Sequence, residues 1–186
     1  MFLDSENGLS KELHLYLSFE RGYKFPIDSD QSSTAYDTVE RTWQHLNFFQ
    51  HSCFLHVRVP RVKNSDGQIH QVSAPWSRPG SCFTLLFEAY AMLLIESEMS
   101  INKVSNCMNV TAPGIWRVFD YWIGRAVSKD DLSGITQVGM DETSLKKGHN
   151  YVTVFADLSP RRVIHVCEGK DASTLEILRP LDWKRS

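Results

Sequence analysis

A charge excess of one sign is missing from this sequence: 20 Lys and Arg stand against 22 Asp and Glu, a formal charge of −2. That excludes a global basic field for nucleic acid, so any DNA contact has to come from local patches. Long apolar runs are missing too. The longest nearly uncharged stretch, Phe83 to Ile95, is too short to cross a bilayer and contains Glu88. The opening Met-Phe-Leu-Asp-Ser-Glu has no basic n-region and no apolar h-region, so no secretory leader and no membrane association are expected. Cysteine is scarce. Cys53, Cys82, Cys107 and Cys167 match neither zinc-finger spacing nor a compact disulfide framework, which leaves four ordinary thiols of a reducing cytoplasm. A Gly-rich phosphate loop, a Ser-His-Asp set and internal repeats are also absent. What remains is globular: 186 residues, 42% apolar and 23% charged, enough for one domain or two small ones.

Three segments differ in pattern, at 1–80, 81–130 and 133–186. In the first, Leu13, Leu15, Leu17 and Phe19 alternate with polar residues, the period of a half-buried strand. Ile27 to Asp37 is polar and without apolar period, which predicts a loop. From Cys53 the chain alternates again, with Val57 and Val59 on one face and His56 and Arg58 on the other. Asn64-Ser-Asp-Gly67 is a turn signature, and Ile69 and Val72 suggest a return strand. The segment reads as a small, mostly β module.

The second segment is helical. Phe83, Phe87, Tyr90, Met92, Leu94 and Ile95 form a broad apolar surface after Pro79-Gly80, with Ser81 or Thr84 as the cap. Met99, Ile101, Val104 and Met108 fit a second short helix capped by Ser100. After a turn at Asn109-Val110, Thr111 caps a third, with Pro113 in its first turn where the missing N–H costs nothing. Its expected buried face is Ile115, Trp116, Phe119, Trp122, Ile123 and Ala126. Two helices joined by a short turn fit a helix-turn-helix from Ser100 to about Arg125, and equally a plain helical hairpin. As a DNA reader it would present Thr111, Arg117, Asp120 and Arg125, with Arg117 reaching a guanine edge or a phosphate.

The third segment reads as strands 135–140, 151–156 and 162–167, then a helix from Ala172 to Leu178. Asp141 follows the first strand and Asp157 the second. A carboxylate at a strand end suits Mg²⁺ or Mn²⁺, and suits a turn or helix cap as well. Lys146-Lys147-Gly148-His149 would bind phosphate or form a solvated hairpin tip, and Arg161-Arg162 likewise. His51 and His56 flank Cys53, but positions five apart on a strand point to opposite faces, which argues against a metal there.

Several blocks of this sequence carry a resemblance. Gly139-Met-Asp-Glu-Thr-Ser-Leu-Lys-Lys-Gly-His-Asn-Tyr-Val-Thr-Val-Phe-Ala-Asp-Leu158 resembles the start of the catalytic domain of the ISL-three family of bacterial insertion-sequence transposases. Gly169-Lys-Asp171 fits the same pattern, as do Val59-Pro-Arg-Val-Lys63, Ala74-Pro-Trp76 and Phe83-Thr-Leu-Leu-Phe-Glu88. The resemblance implies an α+β, multi-part chain: a zinc-ribbon-like β module, a helix-turn-helix, and the start of a ribonuclease H-like domain. It implies DNA strand cleavage and transfer with Mg²⁺ or Mn²⁺, Asp141 as the first catalytic and metal-binding carboxylate, and the element's terminal inverted repeats as the DNA partner. Thr111, Arg117, Arg125, Lys146 and Lys147 would be the DNA-binding side chains, in a bacterial cytoplasmic protein. A second copy or a full-length transposase would be the protein partner.

Two departures shape the expectation. The family's cysteine pairs follow the Phe-Pro dipeptide and the Pro-Arg-Val-Lys stretch. Here Phe25-Pro26 is followed by Ile27-Asp-Ser-Asp30, and Lys63 by Asn64. Without thiolates no structural zinc is expected, and the module would fold around Trp43, Leu46, Phe48, Phe49, Phe54 and Val57. Ser186 lies 45 positions after Asp141, and the family's second Asp and its Glu come later. The expectation is thus a truncated, inactive transposase with an incomplete metal site. The alternatives are a DNA-binding protein that represses transposition by occupying element ends, and an enzyme completed by a second chain or by frameshifting.

Overall fold

A computed structural model of the chain describes residues 2–3, 12–28, 31–49, 51–144, 151–159 and 161–169. The chain divides into two compact units, 1–123 and 124–186.

The first unit begins with strands β1 (Phe2–Leu3), β2 (Glu12–Leu17), β3 (Lys24–Asp28), β4 (Gln31–Thr34), β5 (Asp37–Phe48), β6 (His51–Lys63) and β7 (Ile69–Gln71). Five of them form one sheet in the order β1-β2-β6-β5, with β7 also paired to β6. Strands β3 and β4 make a separate hairpin. The alternation of β6 decides the core: Cys53, Leu55, Val57 and Val59 bury with Trp43 of β5, and Leu13, Ala74 and Trp76 pack against them. The opposite face of β6 carries Phe54, His56 and Arg58. At the β6–β7 turn the Gly67 N–H donates to Asn64 O at 3.0 Å. Gly67 sits at φ 87°, a conformation glycine adopts without penalty.

Two expectations change here. The span from Ile27 to Asp37 is not a loop; it holds the end of β3, all of β4 and the start of β5. Gln-Ser-Ser-Thr has no apolar alternation, so β4 is held by backbone pairing to β3 and is silent to periodicity. The apolar centre also differs. Trp43 and Val57 are buried, but Phe48 and Phe49 are exposed at the β5–β6 turn, and Phe54 lies on the outer sheet face. Leu46 packs against the helices instead.

The helices are α1 (Leu85–Glu96), α2 (Ile101–Cys107) and α3 (Ala112–Ser128). Thr84 caps α1, its hydroxyl accepting from the Phe87 N–H at 3.3 Å. Ser100 caps α2 in extended geometry without a side-chain bond. Asn109 makes the α2–α3 turn at φ 54°, a left-handed conformation that Asn tolerates better than most residues. Phe83, Phe87, Ala91, Val104, Met108, Ile115 and Val118 form the core between the helices. On α3 the buried residues are Gly114, Ile115 and Val118, while Trp116, Ile123 and Ala126 are exposed, contrary to the expected face. At about 100° per residue, positions 115, 118 and 122 align, and 116 and 123 fall to one side of that stripe. The helices are stitched to the sheet by Gln44, whose N–H donates to Cys82 O at 2.9 Å and whose C=O accepts from Thr84 N at 3.1 Å.

The second unit contains an antiparallel sheet, order β10-β9-β8, of β8 (Val138–Ser144), β9 (Tyr151–Asp157) and β10 (Arg162–Glu168). Val152 and Phe155 are buried in it. Asp141 is in mid-strand, paired with Val154, rather than past the strand end. Its polar neighbours Glu142, Thr143 and Ser144 continue the ladder, paired with Thr153, Val152 and Tyr151 of β9. The expected helix from Ala172 lies outside the described residues.

Candidate functional site

Loop 77–81 and helices α1 and α3 meet at one carboxylate. Glu88 is fully buried. Its Oε2 accepts from Arg78 Nε at 2.9 Å and from Trp122 Nε1 at 2.8 Å, and its Oε1 accepts from Ser81 Oγ at 2.6 Å. A buried carboxylate is tolerable only when paired and hydrogen-bonded, and both conditions hold here. The Arg78 guanidinium also lies 3.9 Å from the Tyr121 ring centroid, within cation–π range. Glu88 thus ties α1 and the loop before it to α3. Thr84 adds a tie to the sheet, 2.8 Å from His45 Nδ1, and Asn109 Nδ2 donates to Ser52 Oγ at 3.3 Å from the α2–α3 turn. The sequence signal for this network was a lone Glu inside an apolar run. Trp122 was expected on the buried face of α3, but nothing paired it with Glu88, and Arg78 carried no signal of its own.

The side chains expected to face DNA fall out as follows. Thr111 is exposed immediately before α3, and its C=O accepts from the Gly114 N–H at 2.9 Å. Arg117 is exposed one turn further on, its Nε donating to Pro113 O at 3.2 Å. Asp120 is exposed on the same helix. Thr111 thus precedes α3, Arg117 lies in its first half and Asp120 at its middle. Arg125 is exposed nearer the end of α3, in the second unit. Lys146, Lys147 and His149 lie outside the described residues. Arg162 is engaged within its own unit, with Asp130, with Asp131 O at 2.9 Å and with Asp157 at 4.0 Å.

Strand register decides what Asp141 can do. Val138 pairs with Asp157 and Asp141 with Val154. Side chains alternate along a strand, so Asp141 and Asp157 point to opposite faces of the sheet. Asp141 is exposed, whereas Asp157 is buried and accepts from the Ser159 N–H at 3.2 Å. Asp157 is a structural carboxylate, and the two cannot share one metal ion.

These features define a class: a three-helix segment locked by a buried carboxylate, between a β-rich module and a strand that displays an aspartate. Three family models match in that order. Residues 29–63 match the "zinc-finger of transposase IS204/IS1001/IS1096/IS1165", 72–123 the "Helix-turn-helix domain of transposase family ISL3", and 138–183 the transposase domain of the same family. The chain belongs to the ISL-three family of transposases. Two relatives, both "Transposase for insertion sequence element IS1557", come from two strains of Mycobacterium tuberculosis. Each is 27% identical over 140 residues, covering 73% of this chain and 30% of the relative. The chain thus spans about a third of the length of these relatives. No solved structure matches it.

The zinc-finger match raises the question of zinc, and the donor set answers it. Cys53 is the one cysteine in 29–63. It is buried in the sheet core beside Trp43 and Leu55, and burial pushes its thiol up from the ordinary value, away from the thiolate that zinc needs. Where the family's second cysteine pair would follow Lys63, Asn64 and Gly67 close a plain turn. These residues do not fit a structural zinc. For the divalent ion of the transposase domain, Asp141 supplies one exposed carboxylate. Among the described residues no three His, Cys, Asp or Glu side chains are grouped to hold a metal. No helix among those residues is long and apolar enough to cross a membrane.

Proposed function

We propose that this chain binds the terminal inverted repeats of an insertion element through α2 and α3, and that Asp141 is the first carboxylate of a ribonuclease H-like strand-transfer site. The observation that carries the DNA reading is the pair of exposed side chains at the start of α3, Thr111 just before it and Arg117 on it, on a helix whose opposite face is buried through Gly114, Ile115 and Val118 and tied to α1 through Glu88. The second helix of such a pair enters the major groove by its N-terminal residues. Arg125, Lys146 and Lys147 would contact phosphate. The three parts, 1–80, 81–130 and 133–186, would serve as accessory module, DNA reader and catalytic start. The meander of β8, β9 and β10 supports the ribonuclease H-like reading. Mg²⁺ or Mn²⁺ held in part by Asp141 would activate the attacking oxygen and stabilise the leaving one.

With one exposed carboxylate on that sheet face in β8 and Asp157 on the other, this chain alone binds DNA without cutting it. Occupying the element ends would then repress a full-length copy. Fluorescence anisotropy at fixed salt tests the binding. Terminal-repeat duplex binds more tightly than random duplex, and Arg117→Ala costs about 1–3 kcal/mol of that preference if Arg117 reads a base. Equal affinity for both duplexes defeats the reading. Strand transfer with Mg²⁺ or Mn²⁺ tests the chemistry: this chain alone gives no product, and in an enzyme completed by a second chain, equal product from wild type and Asp141→Ala removes Asp141 from the mechanism.

A further inference from the structure

The outer face of the N-terminal sheet carries four aromatic rings stacked in series. Phe54 and His14 stack with centroids 5.5 Å apart and planes 19° apart, His14 and His56 at 5.1 Å and 24°, and His56 and Tyr16 at 4.8 Å and 19°. The stack follows from register. His14 pairs across the parallel β2–β6 ladder with Phe54, and Tyr16 with His56, so the rings interleave like the teeth of a zip. Hydrogen bonds fix the two imidazoles. His14 Nδ1 and His56 Nε2 are 2.8 Å apart, Thr42 Oγ1 is 3.0 Å from His56 Nδ1, and Glu12 Oε2 is 3.1 Å from His14 Nε2. One proton arrangement satisfies all three. Thr42 donates to His56, His56 to His14, and His14 to the Glu12 carboxylate. The rings are therefore held before anything binds.

The series ends at Tyr16, which is 77% exposed. Beyond it opens a cleft of about 460 Å³ lined by Tyr16, Thr42, His56, Glu40, Arg41 and Arg58. On β6 the next outward residue after His56 is Arg58, so the cleft lies where the next ring of the series would fall. Arg58 meets Glu40 at 3.7 Å, both side chains mostly exposed. A surface pair of this kind contributes little, so the guanidinium is available to another anion.

A ligand that extends the stack must be flat and aromatic, and one that engages the arginines must carry an anion. We propose that this cleft takes an unpaired nucleobase of DNA, stacked on Tyr16, with its phosphate on Arg58. Stacking on exposed aromatic side chains with cationic groups alongside is the usual way single strands are held. The inference rests on the reading of the chain as a DNA-binding protein, and it assigns the β-rich module to unpaired strand while α3 takes duplex.

The test uses the full chain and two fluorescein-labelled probes, oligothymidylate and a blunt duplex, at several salt concentrations. Tyr16→Ala weakens oligothymidylate binding by roughly 5- to 150-fold, the loss of one base–aromatic stack. Tyr16→Phe keeps the affinity, and Arg58→Ala lowers the salt slope by about one phosphate. Duplex binding stays unchanged in all three, because none of these residues lies on α3. Oligothymidylate binding that is absent in wild type, or equal in Tyr16→Ala, overturns the proposal. Weaker binding of terminal-repeat duplex by Arg117→Ala with oligothymidylate binding intact separates the two sites. A chain that binds oligothymidylate through Tyr16 but no duplex keeps this site and defeats the helix-turn-helix reading. Tyr16 is exposed, so its substitution leaves the fold in place, which far-UV circular dichroism verifies.

Discussion

Replacing Glu88 with alanine removes one acceptor group from three donors at once. Arg78 Nε, Trp122 Nε1 and Ser81 Oγ lie 2.9, 2.8 and 2.6 Å from its oxygens. The Arg78 side chain is only 15% exposed, so the variant strands a largely desolvated guanidinium as well as an indole N–H and a hydroxyl. Removing one partner of a buried ion pair costs about 3–5 kcal/mol, a large part of the roughly 5–15 kcal/mol that holds a domain together. Glutamine keeps the shape and one carbonyl acceptor but gives up the charge opposite Arg78, so Glu88→Gln costs about 1–3 kcal/mol, the scale of one charge-assisted hydrogen bond. Urea unfolding followed by tryptophan fluorescence reads both, and Trp122 reports from inside the network. With a slope of about 2 kcal/mol/M the alanine variant moves the midpoint down by roughly 2 M. An alanine variant within about 1 kcal/mol of wild type would refute the reasoning, because it would show that the three donors find other acceptors or water.

Other outcomes follow from the same structure. EDTA or phenanthroline leaves the thermal midpoint of the N-terminal unit unchanged, since Cys53 and its neighbours do not make a zinc site; a drop restored by added zinc contradicts this. The Arg61 guanidinium, bonded to both oxygens of Asp37, holds that carboxyl below its ordinary value of 3.8. A carboxylate depressed in the folded state stabilises above its unfolded value and loses that contribution as pH falls through the folded one. Stability therefore drops on acidification below about 4, and Asp37→Asn flattens that drop in pH-dependent melts. Gly124 is exposed inside α3, and a methyl group added there would meet nothing within 4 Å, so Gly124→Ala raises stability by about 0.5–1 kcal/mol in chemical denaturation. A destabilised variant would mean that the backbone at 124 is not helical in solution.

The helices were legible because their signals are local. Thr84, Ser100 and Pro113 mark the starts of α1, α2 and α3, and apolar spacings of three and four mark their length. The orientation of α3 was less so, because Trp116 and Ile123 are apolar yet exposed, and periodicity cannot tell a core aromatic from a surface one. Strand β4 was hidden because Gln-Ser-Ser-Thr pairs by backbone alone. Asp141 was placed at a strand end because the apolar pattern of 135–140 stops at Met140; pairing with β9 carries the strand on to Ser144. Thr111 and Arg117 were expected at the surface around the start of α3, and both are exposed there. Glu88 was visible as an oddity, but its donors come from residues 7, 10 and 34 positions away, and that kind of closure has no local signature. The aromatic series on the outer sheet face was equally hidden, since it depends on a parallel pairing between strands 42 residues apart.

Register in the third sheet works as a parity rule. Facing residues of β8 and β9 sum to 295, as in Asp141 with Val154 and Met140 with Phe155. An even shift of β8 keeps Asp141 on its face, and an odd one delivers Met140 or Glu142 there instead. Phe155 is buried on the face that Met140 shares, and it resists the odd shift, which would set the Asp141 carboxylate on its side of the sheet. Substitutions that shrink Phe155 therefore act at a distance on which carboxylate the sheet presents, without touching Asp141 at all.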